Sequence, residues 1–464
     1  MKIKFLGATG CVTGSCHLLS IEDKKILLDC GLFQGKDAKD NENEVFDFNP
    51  KEINVVILSH AHMDHSGRIP LLYKLGFRGR VICTNATKDL CSSMLIDCAH
   101  IFIHEISFKN KKREKKGLPL LKPLYEIEEV EGCLKLFEGY EYKEEISLFE
   151  NIKLTFKDAG HLLGSALCEI LVNSKNNENT KVVFSGDIGN VNLPILKDPE
   201  YITSGDYVIM ETTYGDEEHK DIKENLHELV NIIKQTIERK GNVIIPSFSV
   251  GRTQEVIYAL NKYIENGEIK NCRVYVDSPL ASKTTEIFKK YEEYFDKEAK
   301  ALIEGGDDPL EFKELNFTES VEDSMKLKEI NSGLVIIAAS GMCEGGRVIH
   351  HLKNNLSREE CSVVFVGYQA EGTLGKKILE GDKEVSILGE NITVKAQIHN
   401  LEGLSGHADK KILLAWLERF RNKPEKVFLV HGESKNIKSF NREITSKGYK
   451  SIIPEKNQEF YIEG

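Results

Sequence analysis

The chemically densest part of the sequence is one hexapeptide, His60-Ala61-His62-Met63-Asp64-His65. Three imidazoles and a carboxylate within six residues offer the nitrogen and oxygen donors that a borderline cation such as Zn²⁺ takes. Buried in an apolar core they would lack partners; the bland alternative is a solvated polar loop. The run before them, Val55-Val56-Ile57-Leu58, is short, β-branched and bounded by loop residues. It reads as a buried strand that delivers the cluster at its C-terminal end.

The same grammar recurs along the chain. Residues 25–29 read as a strand ending in Asp29, before Cys30-Gly31. A carboxylate there can cap a turn, and the preferred reading is a partner that orients a ligand histidine. Strand-like residues 153–156 lead to Asp158-Ala159-Gly160-His161, and 181–184 lead to Ser185-Gly186-Asp187. Residues 207–210 lead to Glu211-Thr212-Thr213-Tyr214-Gly215, and 426–430 to His431-Gly432-Glu433. In a sandwich whose strand ends share one edge, His60, His62, Asp64, His65, His161, Asp187 and His431 converge. Seven such groups suit two metal ions if one carboxylate bridges.

From about residue 216 the pattern changes. Residues 219–240 form a long amphipathic helical pattern, and four strand–loop–helix units follow, with strands at 243–245, 274–276, 335–338 and 363–366. Alternating β and α predicts a doubly wound parallel sheet, whose ligands bind beyond the strand C-termini. The loops there are Gly- and Ser-rich: Ser247-Phe248-Ser249-Val250-Gly251-Arg252, Ser340-Gly341-Met342 and Gly367-Tyr368-Gln369. Backbone N–H groups in such loops suit phosphate, which favours an anion-binding surface over plain turn chemistry. After residue 390 a strand pattern at 393–398 leads to Gly406-His407-Ala408-Asp409 and a helix at 411–420. The middle domain therefore reads as an insertion, with boundaries at 1–208, 209–392 and 393–464. Asp409 has a plain account as a carboxylate at a helix N-terminus.

Composition bounds the rest. At 464 residues the chain exceeds one ordinary core, and 41% hydrophobic with 29% charged residues is ordinary for a globular protein. With a net charge of −11, a broad basic face is not expected. One basic run, residues 109–116, reads as a solvated loop, with an arm touching RNA phosphates as the sharper alternative. Eleven cysteines without a CxxC pair, most in apolar runs, read as small core residues in a reducing compartment. No apolar run approaches the roughly 18 residues of a membrane span, and the N-terminus has no signal-peptide pattern; the expectation is a cytoplasmic protein with no membrane partner. His17, His100, His104, His219, His227, His350, His351 and His399 lack comparable context and read as surface or satisfied core residues.

The H-x-H-x-D-H pattern of His60 to His65 resembles the metallo-β-lactamase family. Together with an inserted α/β domain, Glu211 in its Glu-Thr-Thr-Tyr-Gly stretch, His407 in Ser405-Gly406-His407-Ala408-Asp409 and His431 in Val430-His431-Gly432-Glu433 resemble motifs A, B and C of the β-CASP nucleases. That family includes the endonuclease of eukaryotic mRNA 3′-end processing and bacterial and archaeal ribonucleases. The resemblance covers nearly the whole chain, and the chain reads as a short, stand-alone member. It implies an αββα sandwich with an inserted β-CASP doubly wound domain, and two Zn²⁺, with Mn²⁺ as the alternative. By that resemblance His60, His62 and His161 hold one metal, Asp64, His65 and His431 the other, and Asp187 bridges. Asp64, Asp187, Glu211 and His407 are the implied catalytic residues, with His407 protonating the leaving oxygen and Glu211 keeping it cationic. Ser247, Arg252, Ser340, Gly341 and Met342 are the implied phosphate grips. His431 favours RNA, because DNA-acting members typically lack it. The implied reaction is hydrolysis of single-stranded RNA to 5′-phosphate and 3′-hydroxyl ends, in RNA processing or decay, and a homodimer is allowed. Two rivals are a small-molecule metallo-hydrolase, which the inserted domain, Glu211 and His407 argue against, and a non-catalytic RNA-binding subunit, which the complete ligand set argues against.

Overall fold

The β-branched runs of the first unit form two seven-stranded sheets. The computed structural model describes residues 1–38, 42–173 and 179–462. Two units emerge, the first comprising Met1–Gly189, Pro199–Glu218 and His407–Gly464, the second Asn190–Asp198 and His219–Gly406.

In the first unit one sheet runs, edge to edge, Glu459–Tyr461, Lys2–Phe5, His17–Ile21, Lys24–Leu28, Val55–Ile57, Arg80–Thr84, Phe137–Tyr140. The other runs Ser451–Ile452, Lys426–Val430, Tyr207–Glu211, Asn179–Phe184, Ala166–Asn173, Ile152–Asp158, Glu145–Phe149. Their facing side chains make one core that includes Phe5, Leu28, Ile57, Leu154, Phe156, Phe184 and Phe428. Strict alternation of burial along Ile152–Asp158 is the sequence signature of such a half-buried strand. The outer face of the second sheet is covered by helices Lys410–Leu417 and Ser434–Ser446, which bury Trp416, Leu417 and Phe440 against Val208, Met210 and Leu429. Helix Asn85–Glu114 packs on Arg80–Thr84 and Phe137–Tyr140 of the first sheet, giving the αββα order.

Strand direction decides where the chemistry collects. Lys24–Leu28 and Val55–Ile57 run parallel in one sheet; Asn179–Phe184, Tyr207–Glu211 and Lys426–Val430 run parallel in the other. Ile152–Asp158 is antiparallel to Ala166–Asn173, which is antiparallel to Asn179–Phe184, so its C-terminal end shares their edge. Asp29, His60, His161, Asp187, Glu211 and His431 all lie at or just after these ends.

The basic run expected as a loop is instead mostly helical, because Asn85–Glu114 continues through it. Cations at a helix C-terminus are favoured by the macrodipole. Asn110 also clamps the strap that follows, donating to Leu121 O and accepting from Leu121 N, both at 2.9 Å.

The second unit holds a six-stranded sheet, in order Leu315–Phe317, Arg273–Asp277, Leu334–Ala338, Val243–Pro246, Ser362–Phe365, Gln397–Asn400. Every pairing in it is parallel. In the 390s, where one strand was expected, a hairpin strand Glu390–Thr393 is followed by Gln397–Asn400, which pairs with Ser362–Phe365. Residues up to Gly406 accordingly group with this unit. Among the described residues no helix is long and apolar enough to cross a membrane. All eleven cysteines are free, and all but Cys11 are buried.

Candidate metal centre

Two groups of donors meet at the strand-end edge of the first unit. In the first, His62 Nδ1 lies 3.1 Å from His60 Nε2 and 3.2 Å from His161 Nε2. Asp187 Oδ2 lies 3.4 Å from His60 Nε2 and 3.6 Å from His161 Nε2. In the second, His65 Nε2 lies 3.1 Å from His431 Nε2 and 3.2 Å from the same Asp187 Oδ2. Asp64 Oδ2 lies 3.4 Å from His431 Nε2 and 3.8 Å from His65 Nε2. Ligands of a tetrahedral ion bound at about 2.0–2.1 Å stand about 3.3–3.4 Å apart. Neighbouring donors in both groups stand near that spacing, at 3.1–3.8 Å, and the Asp187 Oδ2 of the first group also lies beside His65 Nε2 of the second. Asp187 Oδ1 is buried and makes no hydrogen bond, with His431 Nδ1 at 3.5 Å beside it, and a cation would satisfy it. The residues present fit a pair of divalent ions.

Protonation agrees with the fit. Burial drives His60 well below its ordinary pKa, aided by the neighbouring His65, and brings His62 to about 4. Burial alone would raise Asp187, but His431, His65 and His60 hold it well below the carboxylate range. Asp64, likewise opposed by burial, is brought to about 2 by His65 and His431. Neutral imidazoles and ionised carboxylates are the forms that bind metal. His65 is pushed well up: burial opposes its charge, but Asp187, Asp64 and Asp29 override it. Carboxylates that force a proton onto an imidazole mark a place short of a cation.

Each ligand is aimed by a partner behind it. Asp29 is fully buried and left-handed at φ +59°. Its carboxylate accepts from His65 Nδ1 at 2.6 Å, Ser59 N at 2.8 Å, Ser59 Oγ at 2.9 Å and Ser15 Oγ at 3.1 Å. Because the Ser59 hydroxyl proton goes to Asp29, His60 Nδ1–H donates to Ser59 Oγ at 3.1 Å, and the His60 Nε2 lone pair faces the centre. His431, also left-handed at φ +48°, has Nδ1 3.1 Å from Thr213 Oγ1, which turns Nε2 inward. Such imidazole partners fix tautomer and ring orientation. Gly31 is needed for close approach: a Cβ there would stand 1.6 Å from Asp64 O.

Beside the donors sits a His–Glu pair. His407 Nδ1 lies 3.2 Å from Oε1 and 3.3 Å from Oε2 of Glu211, which is wholly buried. Glu211 also accepts from Ile188 N at 2.7 Å and Thr213 N at 3.2 Å. A β-bridge between Gly189 and His407 and the Ala408 N–Ile188 O bond at 2.8 Å fix His407 to the segment that carries Asp187. Burial works against the His407 cation, but Glu211, with Asp187 and Asp64 beyond, raises its pKa above the ordinary value. Its side chain keeps 17% exposure and its Nδ1 is 4.0 Å from Asp187.

Comparisons with known proteins agree with this geometry. A metallo-β-lactamase superfamily domain matches residues 18–200, a β-CASP domain residues 253–378, and a Zn-dependent metallo-hydrolase RNA specificity domain residues 391–454. A ribonuclease of Thermus thermophilus is 37% identical over 97% of this chain and 97% of its own length. The chain belongs to the β-CASP family of metallo-β-lactamase-fold proteins. The transcription termination factor FttA of Methanocaldococcus jannaschii is 33% identical over 95% of this chain and 68% of the factor. An RNase J-like protein of the same organism is 31% identical over 94% of each. A solved structure, a protein of unknown function from Enterococcus faecalis V583, superposes with a TM-score of 0.54 at 13% identity over 99% of both chains, which is a likeness of fold.

In the β-CASP domain the loop residues read from sequence lie apart from these donors in the chain. Ser247 is buried; its Oγ donates to Phe248 O at 3.3 Å and accepts from Thr253 Oγ1 at 3.1 Å. Arg252 is buried and paired with Glu255 within its own helix. Gly341 is buried, and Ser340 and Met342 are half-buried. Gln369, which the sequence places in the third of these loops, ties them together by donating to Gly341 O at 2.9 Å and Gly367 O at 3.1 Å. Ser15, Ser59 and Thr213 were missed as ligand-orienting residues. Thr213 stands two residues after Glu211 and Ser59 directly precedes the histidine cluster, but neither position sets a hydroxyl apart from others near strand ends.

Proposed function

We propose that this chain is a metal-dependent ribonuclease that hydrolyses internal phosphodiester bonds of single-stranded RNA, leaving 5′-phosphate and 3′-hydroxyl ends, in cytoplasmic RNA processing or decay. The observation that carries the reading is the pair of donor groups sharing one Asp187 oxygen, with the Glu211–His407 pair beside them. Its relatives include a named ribonuclease, and the match to an RNA specificity domain supports RNA as the polymer.

His60, His62 and His161 would hold one Zn²⁺, and Asp64, His65 and His431 the other, with Asp187 between; Mn²⁺ is the alternative ion. A bound divalent pair supplies an activated water and positive charge for the phosphoryl oxygens. The chain's residues do the rest. Asp29 and Thr213 keep the ligand nitrogens aimed. Glu211 holds the proton on His407 Nδ1 and orients the ring, so that Nε2–H protonates the departing 3′-oxygen. The 340–342 loop supplies polar contacts to flanking phosphates. Ser247 and Arg252 act by shaping the neighbouring loop, since their polar groups are satisfied internally. A second copy of the chain completes the proposed partners.

The test uses RNA labelled at either end, the same sequence as DNA, and a chromogenic lactam. RNA fragments with 5′-phosphates, lost on chelation and restored by Zn²⁺, are expected, as is RNA affinity that weakens with salt through counterion release. Equal cleavage of DNA, or turnover of the lactam alone, would reverse the assignment.

A further inference from the structure

Helix Asn85–Glu114 is 30 residues long, about 45 Å at 1.5 Å per residue, and its buried residues end at Ala99. Its later turns are backed by the strap that follows. Besides the paired Asn110–Leu121 bonds, Arg113 Nε donates to Pro119 O at 2.7 Å, and Phe102 packs edge-on against Tyr125 at 5.3 Å between ring centres. This is an ordered projection, yet it exposes Ile103, Phe108, Leu118, Leu120 and Leu121, with Leu120 at 61%. Aliphatic surface on a well-tied element marks a covered face.

Between helix and strap runs a groove of about 620 Å³ whose apolar lining includes Ile103, Ile106, Leu120 and Leu121. Lys111, Lys122, Glu114 and Glu126 also line it. A phosphate polymer fits this lining poorly. It would meet three carboxylates, those of Glu114, Glu126 and Glu128, and among the lining residues there is no aromatic ring on which a base could stack. Both signs within one small patch are instead the charge pattern of a self-complementary surface, because a two-fold axis sets each patch against its own copy.

We propose that this projection is a homodimer interface, in which two copies pair about a two-fold axis and Leu120 and Leu121 of each enter the groove of the other. The charged groups of the groove then pair across the axis, lysines of one copy against glutamates of the other.

Sedimentation equilibrium of the full chain tests this. The wild type is expected to dimerise, and Leu120→Asp with Leu121→Asp to raise the dissociation constant by about 100-fold or more, as central interface anchors do. Both side chains are exposed, so an unchanged far-ultraviolet circular dichroism spectrum is expected and is checked, while the melting temperature should lose the part that the wild type gains with protein concentration. A charge exchange gives the second arm. Lys111→Glu with Lys122→Glu, and separately Glu114→Lys with Glu126→Lys, should each be monomeric alone and dimerise when mixed. A wild type that stays monomeric, a leucine variant that keeps the dimer, or exchanged variants that do not recover on mixing overturns the proposal. Variants that keep their mass but lose RNA affinity would hand the surface to RNA.

Discussion

Glu211→Gln separates the proton-handling part of the centre from the metal-holding part. In the native protein the Glu211 carboxylate faces His407 Nδ1 at 3.2 and 3.3 Å while taking the Ile188 and Thr213 amides. Glutamine keeps one acceptor oxygen and presents an NH₂ where a second acceptor stood, so the imidazolium loses its counter-charge. A hydrogen bond to a charged group contributes about 1.5–3 kcal/mol, and losing it together with the counter-charge lowers the His407 pKa. Glu211 raises that pKa, so the parent keeps its acid form to higher pH. The variant sheds the proton earlier, and its rate should fall away at lower pH on the alkaline side. Near the acid plateau the loss should be mild. His407→Ala should retain the metal and lose about 10²–10⁴-fold in turnover, the usual range for general acid–base catalysis. The assay is kcat/KM for one RNA cleavage across pH, with metal content measured on the same preparations. An alkaline limb that does not move in Glu211→Gln, or metal released by His407→Ala, refutes the acid role.

Other expectations test the centre from different sides. Asp187→Ala should abolish metal binding and cleavage together, because one oxygen of Asp187 stands in both donor groups; elemental analysis showing two ions still bound would contradict this. Asp29→Asn should weaken metal held by His65, Asp64 and His431 by about 10–100-fold and metal held by His60, His62 and His161 less, because Asp29 reaches His65 directly and His60 only through Ser59; Zn²⁺ titration showing the His60 group to be the weaker site would contradict this. His17 is buried with both ring nitrogens unpartnered, and burial pulls its pKa down to about 3. Its contribution to stability is full above the unfolded value near 6.5 and is lost as pH falls from there toward 3. His17→Leu should therefore stabilise the metal-free protein at pH 4.5, relative to its effect at pH 8, by about 2–3 kcal/mol in chemical denaturation; equal effects at both pH values would exclude the linkage.

Much of the sandwich could be read from the chain because its strands carry strong local signals. Val55-Val56-Ile57, Lys426–Val430 and the alternating Ile152–Asp158 are continuous or period-two apolar runs, and each ends at an ionisable residue. What escaped was written in weaker patterns. Phe137–Tyr140 and Glu145–Phe149 are short and half-polar, and Glu459–Tyr461, which pairs with Lys2–Phe5 to close one edge, is three residues with a single half-buried side chain. The helical state of the basic run was illegible for a different reason. A cluster of lysines looks like a loop by composition, and only the strap held by Asn110 and Arg113, up to eleven residues away in sequence, gives those turns a partner.

The donor set and the residues that aim it differ in the same way. His60, His62, Asp64 and His65 announce themselves because four ligand-type side chains in six residues have no ordinary structural use. Asp187, His161 and His431 follow once strand ends are assumed to share an edge. The aiming residues Ser15, Ser59 and Thr213 carry no such mark, since a hydroxyl near a strand end is commonplace, and their role depends on contacts across 14 to 218 residues of sequence. Arg252 shows the converse. As a cation at the mouth of a glycine-rich loop it has the composition of an anion grip, yet its guanidinium is buried beside Glu255, whose own pKa is raised to about 6 by burial. A charge inside a protein is spoken for by its nearest opposite charge before any ligand arrives, and that neighbour, three residues along the same helix, was visible in the sequence all along.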